Sequence, residues 1–245
     1  MTGALSPLPA AFGETREALH RVVAHVLARR RADATGRIGL RASPGGVATP
    51  AFGEDLEVVR TSGALLVRER GGRARVTPIT TLRALAAEAG VDLAGPLSIG
   101  HDPPALGDPD APLAVDPAAA HALGGWLGFA TAALDEIAAA AGEAGDASGV
   151  QIWPEHFDAA CDLRWGPGEG ERVNLGGSPG DAFHSEPYLY VGPWGPERPG
   201  DDRYWNAPFG AVLAYSSLSA AEGAEAARHL AIGFLRRGVD LLAAR

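Results

Sequence analysis

Leu65-Leu66-Val67-Arg68-Glu69-Arg70-Gly71-Gly72-Arg73-Ala74-Arg75-Val76-Thr77-Pro78-Ile79 is the stretch on which the fold turns. Adjacent glycines between two β-rich runs are a two-residue hairpin signal. They predict that 64–70 folds back antiparallel on 73–79. Upstream, Ile38 and Leu40 alternate with Arg37, Gly39 and Arg41, and Ser43-Pro44-Gly45-Gly46 turns the chain into Val47–Phe52. Leu56–Arg60 follows, with Thr61-Ser62-Gly63 as its turn. Before the strands, Leu19, Val22, Val23, Val26 and Leu27 recur at helical spacing over 14–30. Arg29-Arg30-Arg31 closes that helix, where cations suit the negative end of the helix dipole. After the strands, Thr80 or Thr81 caps a helix through Leu82, Leu85 and Ala89, which Gly90 stops.

The second half repeats this order. Residues 91–117 are rich in Pro, Gly and Asp and read as a connection. Asp116 as N-cap and Pro117 at the first helical position open a long helix with Leu123, Trp126, Leu127, Ala130, Leu134 and Ile137 on its apolar face. A loop through Gly149 leads into an aromatic β region, and Ser219 with Glu222 has the capping-box spacing for a last helix. The expected fold is α+β: helices packed on mostly antiparallel sheets, in two halves of similar α-β-α order. The chain reads as a single domain over 1–245, with sub-halves 1–95 and 117–245. Ser-Pro-Gly occurs at 43–45 and again at 178–180, a match too short by itself to establish duplication.

Composition narrows the chemistry. All 21 basic residues are arginine, and the net charge is −9. Without lysine there is no Schiff base to pyridoxal phosphate, no Walker A loop and no kinase strand lysine. The absence of lysine fits the codon usage of a GC-rich bacterial genome. The acidic balance argues against a nucleic-acid partner. Cys161, the single cysteine, allows neither an internal disulfide nor an iron–sulfur cluster, and its strand context suggests a buried, inert thiol. Met1–Pro9 lacks the pattern of a signal peptide. The longest uncharged apolar run, Ala118–Leu134, is mostly Ala and Gly and too weakly hydrophobic for a membrane span. The expectation is a cytoplasmic protein.

Residues 151–215 carry four of the five Trp, all four Tyr and three of the seven Phe. Aromatic walls with a few polar groups suit a small-molecule pocket. If 151–163 is one strand, side chains alternate between its faces. Trp153, Glu155, Phe157, Ala159, Cys161 and Leu163 then share one face, and His156, Asp158 and Asp162 lie on the other. Glu155 in an apolar setting suits a general acid or base. His156 and Asp158 on one face, with a later His184, have the make-up of a two-His-one-carboxylate metal site for Fe, Mn or Zn, and Glu186 is a substitute ligand. Pro154, which cannot donate to a ladder, is where a bulge would change this assignment. The bland alternative pairs His156 and Asp158 with each other or with backbone. In a metal-free version His156 is the base, while Asn174, Tyr188 or Tyr190 donates hydrogen bonds to substrate. The alternative for Tyr188 and Tyr190 is a packed aromatic ladder with solvent-facing hydroxyls.

Gly176-Gly177-Ser178-Pro179-Gly180 matches the nucleophile-elbow pattern of serine hydrolases. Pro179 has no N–H for the oxyanion hole, so Ser178 reads as a turn residue. His20, His25, His121 and His229 fall in predicted helices, with packing or surface roles, and His101-Asp102 falls in the connection.

Trp153-Pro154-Glu155-His156-Phe157-Asp158, Gly177-Ser178-Pro179-Gly180-Asp181, Pro187-Tyr188-Leu189-Tyr190-Val191 and Pro193-Trp194 together resemble an uncharacterised bacterial domain-of-unknown-function family. Ala18-Leu19-His20 and Thr35-Gly36-Arg37-Ile38 fit the same layout. The resemblance spans most of the chain and implies one architecture rather than two independent domains. It transfers no activity, cofactor or catalytic residue.

The functional expectation is a small-molecule enzyme with a divalent metal as candidate cofactor. Its candidate catalytic residues are Glu155, His156 and Asp158, and its candidate metal ligands are His156, Asp158 and His184. Trp153, Asn174, Tyr188, Tyr190 and Trp194 would bind substrate. The alternative is a non-catalytic small-ligand-binding or assembly module.

Overall fold

The structure, a computed structural model, describes residues 5–97, 99–142, 146–166, 168 and 170–244. The first residues of the Met1–Pro9 segment and part of the loop through Gly149 lie outside them. Helices accompany two five-stranded antiparallel sheets, each a meander in chain order, so the fold is α+β. By contact the chain divides into two compact units. One is Leu8–Gly125 with Ile152–Phe157, and the other is Trp126–Gln151 and Asp158–Arg245 with Met1–Pro7.

The first unit begins with helix α1 (Phe12–Val22), which runs through a π-helical segment (Val23–Ala28) into α2 (Arg29–Thr35). The π segment is entirely buried and was not legible in the periodicity. Strands β1 (Arg41–Ser43), β2 (Gly46–Ala48), β3 (Val58–Ser62), β4 (Leu65–Arg70) and β5 (Arg73–Pro78) follow, then α3 (Leu82–Ala89). Arg70 pairs with Arg73, and Gly71 and Gly72 both have positive φ, as the expected hairpin requires. The Thr81 hydroxyl accepts from the Ala84 N–H at the start of α3, and Gly90 closes that helix in the left-handed region.

The arginine run does more than end a helix. Arg30 grips buried Glu57 with two N–H groups, and Arg68 binds the same carboxylate. Arg21, His25 and Arg29, one turn apart, donate to the carbonyls of Leu106, Pro104 and Gly95. The Pro/Gly-rich connection is thus strapped along the helix by side chains, because its own irregular backbone leaves carbonyls that need donors.

Helix α4 (Pro117–Ala141) starts as expected, with the Asp116 carboxylate accepting from the Ala119 N–H at 2.8 Å. Strands β6 (Gln151–Trp153), β7 (Asp158–Arg164), β8 (Arg172–Ser178), β9 (Tyr188–Pro193) and β10 (Ala211–Ala214) form the second sheet, followed by α5 (Tyr215–Ser219) and α6 (Ala224–Ala243). In the second unit, one face of this sheet carries Ala159, Cys161, Leu163, Val173, Leu175, Leu189 and Val191, all buried. Trp126 of α4 is fully buried and donates its indole N–H to the Ser178 carbonyl at 2.8 Å. Gly177 lets α4 sit down on the strand, since a Cβ there would run into Ala130. One expectation fails at the last helix. Among the described residues no side chain caps it, because Ser219 ends α5 and Gly223 precedes α6. Its buried stripe is Ala227, Ala231, Ile232, Leu235, Gly238 and Leu242, with Leu230 exposed.

Candidate functional site

The segment 151–163 is not one strand. Trp153 ends β6, residues 154–157 form a turn closed by the Phe157 N–H on the Trp153 carbonyl at 2.7 Å, and β7 starts at Asp158. Phe157 sits at φ 59° yet is buried, stacked at 5.2 Å on the His20 ring. His20 also donates through Nε2 to the Pro154 carbonyl at 2.9 Å, and burial lowers its pKa to about 4. A neutral imidazole with one donor and one ring contact is therefore a clamp on this turn. The turn breaks the alternation on which the site assignment rested. Glu155 is buried against Gly100, with Oε2 lacking a hydrogen-bond partner among the described residues, and His156 is exposed. Trp153 is half-buried in the same unit.

The expected metal set is corrected accordingly. Among the described residues, no three His, Cys, Asp or Glu side chains converge as a metal-binding group, so His156, Asp158 and His184 do not form one, with or without Glu186. His184 instead accepts from the Glu186 N–H through Nδ1 and lies beside Tyr188 at 5.8 Å. Cys161 is buried, and burial first, then Asp135 and Asp162, push its thiol up to about 12, so it is inert.

The structure does assemble four of the other candidates on the second sheet, on the face opposite Leu189 and Val191. Tyr190 donates to Asp158 Oδ2 at 2.5 Å, and Tyr188 donates to Asp181 Oδ2 at 2.6 Å. Neither hydroxyl is solvent-facing in the manner of an aromatic ladder. Burial and the neighbouring carboxylates hold both phenols well above their ordinary pKa, so they stay protonated donors. Gly176, opposite Tyr190 in register, gives its ring room to lie flat, because a Cβ there would strike the ring. Further along the same face, Trp194 donates its indole N–H to Asn174 Oδ1 at 3.0 Å, with the Arg172 guanidinium 5.7 Å from its ring.

Three residues of this site escaped the sequence reading: Asp181, Phe183 and Phe209. Phe183, Tyr188, Tyr190 and Phe209 form a closed circuit of rings. Successive centroids lie 6.0, 6.3, 6.4 and 5.1 Å apart, and neighbouring planes are turned by 55–89°. Phe183 and Phe209 are 47% and 37% exposed, and Tyr188 is buried beneath them. Asp181 also accepts from the Phe183 and His184 N–H groups, which fixes the loop carrying Phe183. Two signals existed, an Asp closing an SPGD turn and a lone Phe183 beside the polar His184-Ser185, whereas Phe209 between Ala207-Pro208 and Gly210-Ala211 carries none. In the first unit, a cleft of about 490 Å³ between residues 54–56 and the Gly71-Gly72 hairpin is lined by none of the candidate residues.

No protein-family model, curated protein or solved structure matches the chain. Among the described residues, no helix is long and apolar enough to cross a membrane.

Proposed function

We propose that the second unit is a small-ligand-binding module whose site is the aromatic shelf on the second sheet. The supporting observation is the closed ring circuit of Phe183, Tyr188, Tyr190 and Phe209, with two large apolar side chains left at its surface. A core has no use for rings that face water, whereas a ligand does. Binding fits this geometry better than catalysis. Asp158 and Asp181 each already accept a tyrosine hydroxyl, and both tyrosines are held as neutral donors. The shelf thus offers walls and fixed charges rather than an acid paired with a base.

The test is a ligand-observed NMR screen of the full chain against small aromatic, amine, carboxylate and sugar compounds. At least one compound class should give saturation transfer that disappears in the Phe183→Ala/Phe209→Ala variant while its circular dichroism is unchanged. A screen in which no compound depends on those rings removes the reading.

A further inference from the structure

The ring circuit has an electrostatic character as well as a shape. Each aromatic face carries negative charge density, and its attraction for a cation reaches out to about 6 Å from the centroid. Neighbouring rings here are turned by 55–89°, so they stand as differently directed walls rather than as one stack. With centroids 5.1–6.4 Å apart, a cation held against the exposed side of Phe183 and Phe209 falls within that range of more than one ring. Tyr188 and Tyr190 each hydrogen-bond a carboxylate, which makes their rings more electron-rich and adds the charges of Asp181 and Asp158 behind them.

The treatment of other rings, two of them buried and two at least partly exposed, is informative. Among the described residues, arginines lie over Phe52, Trp194, Trp205 and Tyr204, and none lies over a ring of the circuit. Arg198 donates to the Phe209 carbonyl, but its guanidinium stands over Trp205. In a chain whose 21 basic residues are all arginine, these four rings are left for a cation from outside.

We infer that Phe183, Tyr188, Tyr190 and Phe209, backed by Asp158 and Asp181, form a receptor for an organic ammonium ion. The inference rests on the ligand-binding reading above and adds the charge and class of the ligand. Primary ammonium ions are strongly hydrated, whereas methylated ones shed water readily into aromatic surroundings. Alkylated and quaternary ammonium groups are therefore the favoured class.

The experiment compares choline with its neutral tert-butyl alcohol analogue, in which carbon replaces the quaternary nitrogen, by NMR titration of the full chain. Choline should shift the ring resonances saturably, and the isosteric alcohol should bind at least about fivefold more weakly, the difference a desolvated cation–π contact makes. Phe183→Leu and Phe209→Leu, both at exposed positions, should each weaken choline by about threefold to tenfold without loss of fold. Equal affinity for choline and the alcohol overturns the ammonium assignment, and so does choline binding that ignores both substitutions. If choline fails while another class in the screen depends on the same rings, the ammonium inference falls and the ligand-binding reading stands. If nothing depends on the rings, both fall together.

Discussion

Tyr190 lies over Gly176 with its hydroxyl on Asp158, and each of these three residues can be read in part from the chain. Period-two alternation places Tyr188 and Tyr190 on one face, and the structure keeps them there. Spacing alone pairs Asp158 with His156, but its hydrogen-bonding tyrosine is 32 residues away on another strand. Only the sheet register brings the two together, and register is not written in local spacing. Tyr190→Phe keeps the ring and removes the proton that Asp158 accepts inside the protein. It should lower stability by about 1–3 kcal/mol, the usual cost of taking one partner from a buried charged hydrogen bond. Chemical denaturation of the variant would measure this. A loss within error would mean that solvent supplies Asp158 as well as Tyr190 does.

Strand β8 shows how one element serves two faces. Gly176 and Gly177 alternate, so the first clears space for Tyr190 and the second for Ala130 of α4. A Gly pair inside a strand pattern is a legible signal of close approach, though it does not say what approaches. The two alanine variants separate these roles. Gly177→Ala should cost about 1–3 kcal/mol by overpacking the helix-covered face while leaving choline binding intact. Gly176→Ala should displace the Tyr190 ring and abolish choline binding. Thermal melts and choline titrations of both variants are the check, and loss of binding in Gly177→Ala alone would reverse the assignment. Elements whose chemistry is local were legible. Gly71-Gly72 supplies the positive φ a tight hairpin needs, while Asp116 and Thr81 cap their helices. The 154–157 turn was not, because its positive-φ position is Phe157, which carries no glycine signature and is held by stacking on His20. The Ser-Pro-Gly repeat also resolves at this scale. At 43–45 it leads β1 into its hairpin with β2, whereas at 178–180 it follows the third strand of its sheet, so the two copies are not structurally equivalent.

Across the whole molecule, the two units divide the titratable groups in a way that sets opposite pH limits. The first unit holds His20, lowered by burial from 6.5 to about 4, and His25, also lowered by burial. Both are neutral when folded at neutral pH. As pH falls below 6.5, the unfolded chain takes up protons that the folded unit refuses, so its stability drops. For His20 the loss is complete near pH 4 and is at most about 3 kcal/mol. Burial alone would raise Glu57, but Arg30 and Arg68 hold it below the ordinary carboxylate value, so its contribution is lost at still lower pH. The second unit behaves in reverse. Burial raises Asp135, so acid relieves a cost there. All four tyrosines lie in this unit and are raised by burial, Tyr188, Tyr190 and Tyr215 further by acidic neighbours. Above pH about 10 the unfolded chain releases tyrosine protons that the folded unit retains, and stability falls as pH rises. Pulse-labelled hydrogen exchange, with the pulse at one fixed pH after incubation across the range, should therefore find two orders of loss. In acid, protection should fail first in α1 through α2, and in alkali first in β8 and β9, alongside tyrosinate absorbance. Simultaneous loss in both units at both extremes would mean that they unfold as one cooperative body, in which neither set of shifts acts locally.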